Sequence, residues 1–202
     1  MMLRIDHLAV SCTDLAAGAA AVEAALGLPL VAGGVHPHMG THNRLLGLGD
    51  LYLEVIAIDP GAVAPAWPRW FALDAFAGAP RLTNWVAACD DLEAAVVVAP
   101  AGVGVPVDLA RGDLRWRMAV PEDGRLPFGG CYPALIQWQG PHPAARLPDS
   151  GARLARLVVT HPDAAGLRTA LAGLSDARLV IEAGPLALMA EIDTPHGRRV
   201  LA

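Results

Sequence analysis

Eleven residues near the start of the chain come back 77 positions later. Ile5-Asp6-His7-Leu8-Ala9-Val10-Ser11-Cys12-Thr13-Asp14-Leu15 aligns with Leu82-Thr83-Asn84-Trp85-Val86-Ala87-Ala88-Cys89-Asp90-Asp91-Leu92, with Cys, Asp and Leu coinciding. Three identities alone are weak; a shared element order behind them argues for duplication. In the first copy an apolar strand, interrupted by Asp6 and His7, leads to Thr13 or Asp14 as helix cap and Gly27 as helix stop. A strand over 28–35 and a hairpin complete a β-α-β-β-β unit. In the second copy Asp91 starts a helix of small residues ending before Pro100, and strands are predicted over 103–109, 114–120 and 134–138. A third, weaker copy opens at Leu154, with a helix from Pro162-Asp163 to about Gly173 and strands over 178–182, 186–192 and 199–201. The expected class is α+β. Two paired units occupy 1–140 (1–65 and 80–140), and a third, partial β-α-β-β-β unit occupies 150–202. Between the first two, residues 66–76 read as an aromatic-rich linker helix; 141–151 read as a polar linker.

The chemistry gathers in the first unit's hairpin. Leu51 to Ile58 is an apolar, branched run that suits a buried strand, yet it carries Glu54. A carboxylate is costly to bury unless it is hydrogen-bonded, paired with a charge or bound to a metal. A two- or four-residue loop near Gly47–Asp50 places Asn43 opposite Glu54, with Thr41, Leu45 and Tyr52 on the same face and His42 and Arg44 turned away. A three-residue loop with a bulge puts His42 beside Glu54 instead. Upstream, His36 and His38 flank Pro37, which favours a loop.

Bulk properties exclude several classes. The net charge is -5 and every one of the 15 cationic residues is Arg, with no basic block, so nucleic acid is not an expected partner. Three scattered cysteines, Cys12, Cys89 and Cys131, point to a reducing compartment, and no run reaches membrane-spanning length or resembles a signal peptide. A cytoplasmic protein is expected. Arg44, Arg69 and Arg117 are candidate clamps for a carboxylate or phosphate, or simply members of ion pairs. Cys12 and Cys89 sit at matching repeat positions and read as packing residues; Cys131, after Phe128-Gly129-Gly130, reads as exposed. No phosphate-cradling glycine loop or nucleophile elbow is present.

The repeated unit resembles the vicinal oxygen chelate superfamily, which includes the glyoxalases, and most closely its glyoxalase-like domain branch. The likeness rests on Ile5-Asp6-His7, on Met39 to Leu45 with Tyr52-Leu53-Glu54, and on Pro68 to Asp74. It continues through Trp116-Arg117, Pro121 to Gly124, Leu135 to Trp138 and His142-Pro143. The resemblance implies a cup-shaped mixed sheet with a divalent metal (Zn, Ni, Mn or Fe) at its base. Carried over by position, the metal ligands would be His7, Glu54 and Gln137, with Asn84 where the second unit's His would stand. Glu54 and His42 are the implied catalytic groups, and Thr41, Asn43, Arg44, Trp70, Asn84, Arg117 and Trp138 the substrate contacts. A competing reading keeps His7 and Glu54 hydrogen-bonded across the cup with no metal, and another completes the site with His36, His38 or His42. The implied function is a metal-assisted lyase or isomerase acting on a small polar metabolite. The alternatives are a metal-free binding or sequestering protein with an aromatic cup (Trp70, Phe71, Trp85, Trp138), or a ring-cleaving dioxygenase-like enzyme. Expected partners are a small-molecule ligand and a second copy in a homodimer, with no membrane and no nucleic acid.

Overall fold

The computed structural model describes residues 2–202. The first unit runs β1 (Arg4–Ser11), α1 (Leu15–Leu26), β2 (Val31–His36), β3 (Thr41–Gly47) and β4 (Tyr52–Ile58). The second runs β5 (Arg81–Ala88), α2 (Leu92–Val98), β6 (Val105–Arg111), β7 (Leu114–Val120) and β8 (Ala134–Trp138). The third runs β9 (Arg153–His161), α3 (Ala164–Ala170), β10 (Leu179–Ala183), β11 (Ala187–Thr194) and β12 (Gly197–Leu201). Each helix begins the same way, with an aspartate side chain accepting the backbone N–H three residues on: Asp14 from Ala17, Asp91 from Ala94 and Asp163 from Gly166.

The first two units share one eight-stranded sheet of order β2-β3-β4-β1-β5-β8-β7-β6. Within each unit the first strand runs parallel to the last, β1 with β4 and β5 with β8, and β1 meets β5 antiparallel. There His7 faces Val86 and Ala9 faces Asn84, a register that the 77-residue repeat maps onto itself. The equivalence extends to the cysteines. The Cys12 amide donates to the Ile56 carbonyl at 3.0 Å and the Cys89 amide to that of Ile136 at 2.8 Å; each thiol lies 3.4 Å from the same carbonyl. They are packing residues, as their repeat positions suggest.

Alternation along the strands divides the apolar residues between two faces. Leu8, Val10, Val55, Trp85 and Leu135 face a main core shared with Leu154, Leu157, Val159, Leu188 and Ile192 of the third unit. Ala9, Ile56, Val86, Trp116, Met118 and Ile136 line the cup, under Trp70, Phe71 and Leu73. Trp85 therefore belongs to the core and not to an aromatic cup: its ring is wholly buried and its Nε1–H donates to the Cys131 carbonyl at 2.9 Å. Cys131 is buried too, against the expectation of an exposed thiol.

The third unit repeats the order of elements but not the order of strands. In its four-stranded sheet, β10-β9-β11-β12, the first strand β9 pairs in parallel with β10, the strand directly after its helix. It builds no cup; it covers the convex face. The linker at 66–76 also differs from a regular helix. A 3-10 turn spans Trp70–Ala75, and Phe71 (φ 57°) and Ala72 (φ 52°) lie in the left-handed region. Such a conformation costs non-glycine residues about 1–3 kcal/mol each and persists only where surrounding contacts enforce it. Among the described residues no helix is long and apolar enough to cross a membrane.

Gly18 in α1 tests how tightly helix and sheet are keyed. A Cβ there would lie 2.3 Å from Cys12 Sγ and 3.1 Å from Val55 Cγ1. Alanine gains about 1 kcal/mol of helix propensity, while overpacking costs about 1–3 kcal/mol. Gly18→Ala is expected to lower the urea unfolding free energy by about 1 kcal/mol, and adding Cys12→Ala to recover it non-additively. Equal losses in the single and double variants would contradict this packing.

Candidate functional site

A bulge brings the first two groups together. The β1–β5 register shifts between Ile5 and His7, leaving Asp6 as an extra residue. Asp6 is thereby kept out of the core that takes Ile5 and Leu8, and beside His7. Its Oδ1 accepts from His7 Nδ1 at 2.6 Å. Its Oδ2 accepts from Trp138 Nε1 at 2.8 Å and from His142 Nε2 at 3.0 Å. His142 Nδ1 accepts the Ala144 amide, so Nε2 carries that proton.

On the other side of His7, Nε2 lies 3.6 Å from Glu54 Oε2. The Tyr52 ring stacks on the imidazole at 4.4 Å. The β3–β4 hairpin pairs Leu45 with Glu54 and Asn43 with Ile56, two residues from the expected opposition of Asn43 and Glu54 but with the same faces. Asn43 consequently reaches Glu54 diagonally, and its Nδ2 donates to Oε1 at 2.5 Å.

The cup closes edge to edge. Arg111, the last residue of β6, reaches to the opposite edge strand. Its Nη1 donates to His36 Nε2 and to Asn43 Oδ1, both at 3.2 Å. His36 Nδ1–H in turn donates to Thr41 Oγ1 at 3.1 Å. The approach requires glycine on β2. A Cβ on Gly34 would lie 2.8 Å from Arg111 Cδ, and one on Gly33 would lie 1.9 Å from Asn43 Oδ1. Trp70, Phe71, Trp116, Met118 and Ile136 complete the walls of a cavity of about 30 Å³, room for roughly one water molecule. The Trp70 Nε1–H faces no acceptor.

These neighbours set the charges. Burial works against an imidazolium at His7, yet the hydrogen bond to Asp6 and the charges of Asp6 and the nearby Glu54 carboxylate raise it to about 9. Burial would likewise raise Asp6 and Glu54. Hydrogen bonds from His142 and His7 hold Asp6 well below the usual carboxylate range, and His7 with Asn43 lowers Glu54 to about 2. His36 is pushed down to about 4 by burial, with Arg111 opposing a second positive charge. It is neutral, and serves as an acceptor. The cup thus holds an imidazolium between two carboxylates, and a guanidinium whose partners here are both neutral.

Several expected site residues lie elsewhere. His42 and Arg44 alternate onto the opposite face of β3, away from Thr41 and Asn43. Gln137 is turned out of the cup, because Ile136 and Trp138 take its inner face. Its Oε1 accepts from Leu92 at the start of α2, and its Nε2 donates to the Asp90 carbonyl. Register explains this: Ala9 pairs with Glu54 and its repeat counterpart Val86 with Ala134, so Ala134 stands where a second carboxylate would be. Asn84, the counterpart of His7, lines a different cavity. Arg117 pairs with Glu93 and Asp108, and Arg69 with Asp74. His38 stacks on Trp67 outside the cup. Asn43, Trp70 and Trp138 do line the cavity with His7 and Glu54, and Thr41 meets it only through His36. Asp6, Arg111 and His142 carry roles that sequence reading did not assign them; the one available signal was an acid beside His7 inside an apolar strand.

The donor set does not fit a resident divalent ion. Among the described residues no three His, Cys, Asp or Glu side chains surround one point. His7 Nε2 and Glu54 Oε2 supply two donors. The next in line, His36 Nε2 and Asn43 Oδ1, already accept from Arg111, a fixed cation that opposes another.

A family model described as a glyoxalase-like domain matches residues 5–175. No curated protein matches the chain in sequence. Among solved structures, a hypothetical protein from Staphylococcus aureus is 14% identical, with 92% of this chain and 88% of that one covered at a TM-score of 0.62. Methylmalonyl-CoA epimerase from Mycobacterium tuberculosis is 19% identical over 70% of this chain and 91% of that one, at a TM-score of 0.44. The first likeness concerns the fold alone, and the second is too loose to carry any argument.

The charge arrangement makes a signed prediction. His7 is raised from 6.5 to about 9 on folding. Its stabilisation is therefore complete below pH 6.5 and disappears as the pH rises through 9, a loss of about 3 kcal/mol. Urea unfolding of the wild type between pH 6 and 10 should show this fall, and His7→Gln should start less stable and lack it. A flat profile in the wild type would contradict a charged His7.

Proposed function

Since the chain belongs to the glyoxalase-like domain family, we propose that its cup is the site of a metal-free proton transfer on a small, oxygen-rich metabolite, as in an isomerase or lyase. The observation that carries this reading is Glu54, a buried carboxylate held by His7 and Asn43 on the wall of an enclosed cavity. Facing it is Arg111, a guanidinium with no carboxylate partner among the described residues. A carboxylate or developing enolate oxygen on the substrate would take the free donors of Arg111 and the Nε2–H of His7. Glu54 would then lose the neighbour that lowers it, and burial alone would make it a stronger base, suited to removing a proton from the carbon beside a carbonyl. Asp6 would hold the His7 ring through Nδ1 and keep it protonated. The cavity is water-sized, so substrate entry requires Trp70 to swing aside.

Solvent-hydrogen exchange tests this without a known product. In D2O, wild-type protein treated with chelator should catalyse exchange at the carbon beside the carbonyl of some member of a set of small 2-oxo and 2-hydroxy carboxylates, followed by proton NMR. Glu54→Gln should reduce the rate at least about 100-fold while still binding the compound, and Arg111→Met should weaken binding by about tenfold or more. Exchange that appears only after a divalent metal is added, or that survives Glu54→Gln, would overturn the reading. Tight binding with no exchange by the wild type would favour a sequestering protein, for which the aromatic walls of the cup speak.

A further inference from the structure

Asn84 stands at the second unit's counterpart of His7 and is only 4% exposed, yet its amide engages no hydrogen-bond partner among the described residues. It opens onto a second cavity of about 550 Å³, a volume typical of small-molecule sites. Phe71 is the wall between this cavity and the His7–Glu54 cavity, lining both. The left-handed backbone at Phe71 and Ala72, tied down by the Ala72 amide on the Gly124 carbonyl at 2.8 Å, holds that wall in place. The remaining apolar lining comes from Phe76, Leu82 and Leu126, and from Leu186 and Leu188 of the third unit.

The polar lining comes from Arg81, Arg125, Thr83 and Asn84, with the backbone of Ala202 at the rim. Arg81 and Arg125 contribute cations, and no Asp or Glu side chain lines the cavity. Arg81 uses Nη1 on the carbonyls of Ala77 and Ala79 and lies 4.4 Å over the Phe76 ring, leaving its other nitrogens free. Arg125 is exposed and has no side-chain partner among the described residues.

We propose that this cavity binds an amphipathic organic anion. Its apolar body would lie between Phe71, Leu126 and Leu188, its anionic group at Arg81 and Arg125, and a carbonyl or hydroxyl on the Asn84 amide. The third unit, which builds no cup of its own, supplies the outer wall through Leu186 and Leu188. This site is independent of the proton-transfer reading: it holds no titrating acid or base and is closed off from Glu54 by Phe71.

Calorimetric titration of the full chain with 4-phenylbutyrate, and with the neutral 4-phenylbutanol, tests it. The acid should bind saturably at one site and about tenfold more tightly than the alcohol, the difference a charge-assisted arginine contact gives. Arg125→Ala should reduce that preference, and Arg81→Ala combined with Arg125→Ala should erase it. Leu186→Trp, at a residue 52% exposed and therefore safe for folding, should fill the mouth and weaken the acid at least about tenfold. Glu54→Gln should leave the affinity unchanged, which separates this site from the cup. An absence of saturable binding, equal binding of acid and alcohol, or indifference to Leu186→Trp in a variant whose circular dichroism matches wild type would overturn the proposal.

Discussion

Two ionised carboxylates, Asp6 and Glu54, are buried against one imidazole, and a proton on the His7 ring is what holds all three out of water. Desolvation opposes each charge separately, and only their mutual contact at short range offsets it. Much of the cup's architecture follows from that condition. The bulge at Asp6 sets a carboxylate against His7 Nδ1; Trp138 and His142 complete its hydrogen bonds; Asn43 satisfies Glu54 on the side His7 does not reach. Arg111 adds a second cation and at the same time ties the two edges of the sheet together across Gly33 and Gly34. The charge and the closure of the cup therefore come from the same side chain.

The repeat places two equivalent half-sites in the sheet, and only the first carries ionisable groups at them. His7 and Glu54 have Asn84 and Ala134 as counterparts. The cup draws its charges from β1 and β4 and is closed by a guanidinium from β6. The asymmetry leaves a single carboxylate at these positions, Glu54, beside a single imidazole, His7. It also leaves the second half free to form a roomier cavity around a neutral amide.

Where sequence reading succeeded, it relied on short-range rules. Aspartate caps, the glycine stop at Gly27, the repeat offset and the alternation that sends Asn43 inward and His42 outward all follow from local periodicity. It failed where long-range register decides. Gln137 looked like the partner of Glu54, but the parallel pairing of β5 with β8 gives that position to Ala134 and turns Gln137 toward α2. The roles of Arg111 and His142 depend on strand curl and on a loop folding back over Asp6, neither of which leaves a periodic trace. The left-handed pair Phe71-Ala72 breaks the residue preferences used to predict a helix over 66–76. The third unit has the element order of a repeat, but strand order is a tertiary choice that element order does not encode.

The protonation state of His7 decides between an acid–base cup and a chelating one, because a metal needs the Nε2 lone pair that an imidazolium lacks. Nitrogen-15 NMR of the histidine rings at neutral pH, assigned with a His7→Gln variant, reads it directly. The account predicts that both His7 nitrogens carry protons, that they titrate near pH 9, and that added zinc or manganese does not alter them. A neutral ring with a bare Nε2 at neutral pH, or a resonance that shifts when stoichiometric metal is added, would contradict it.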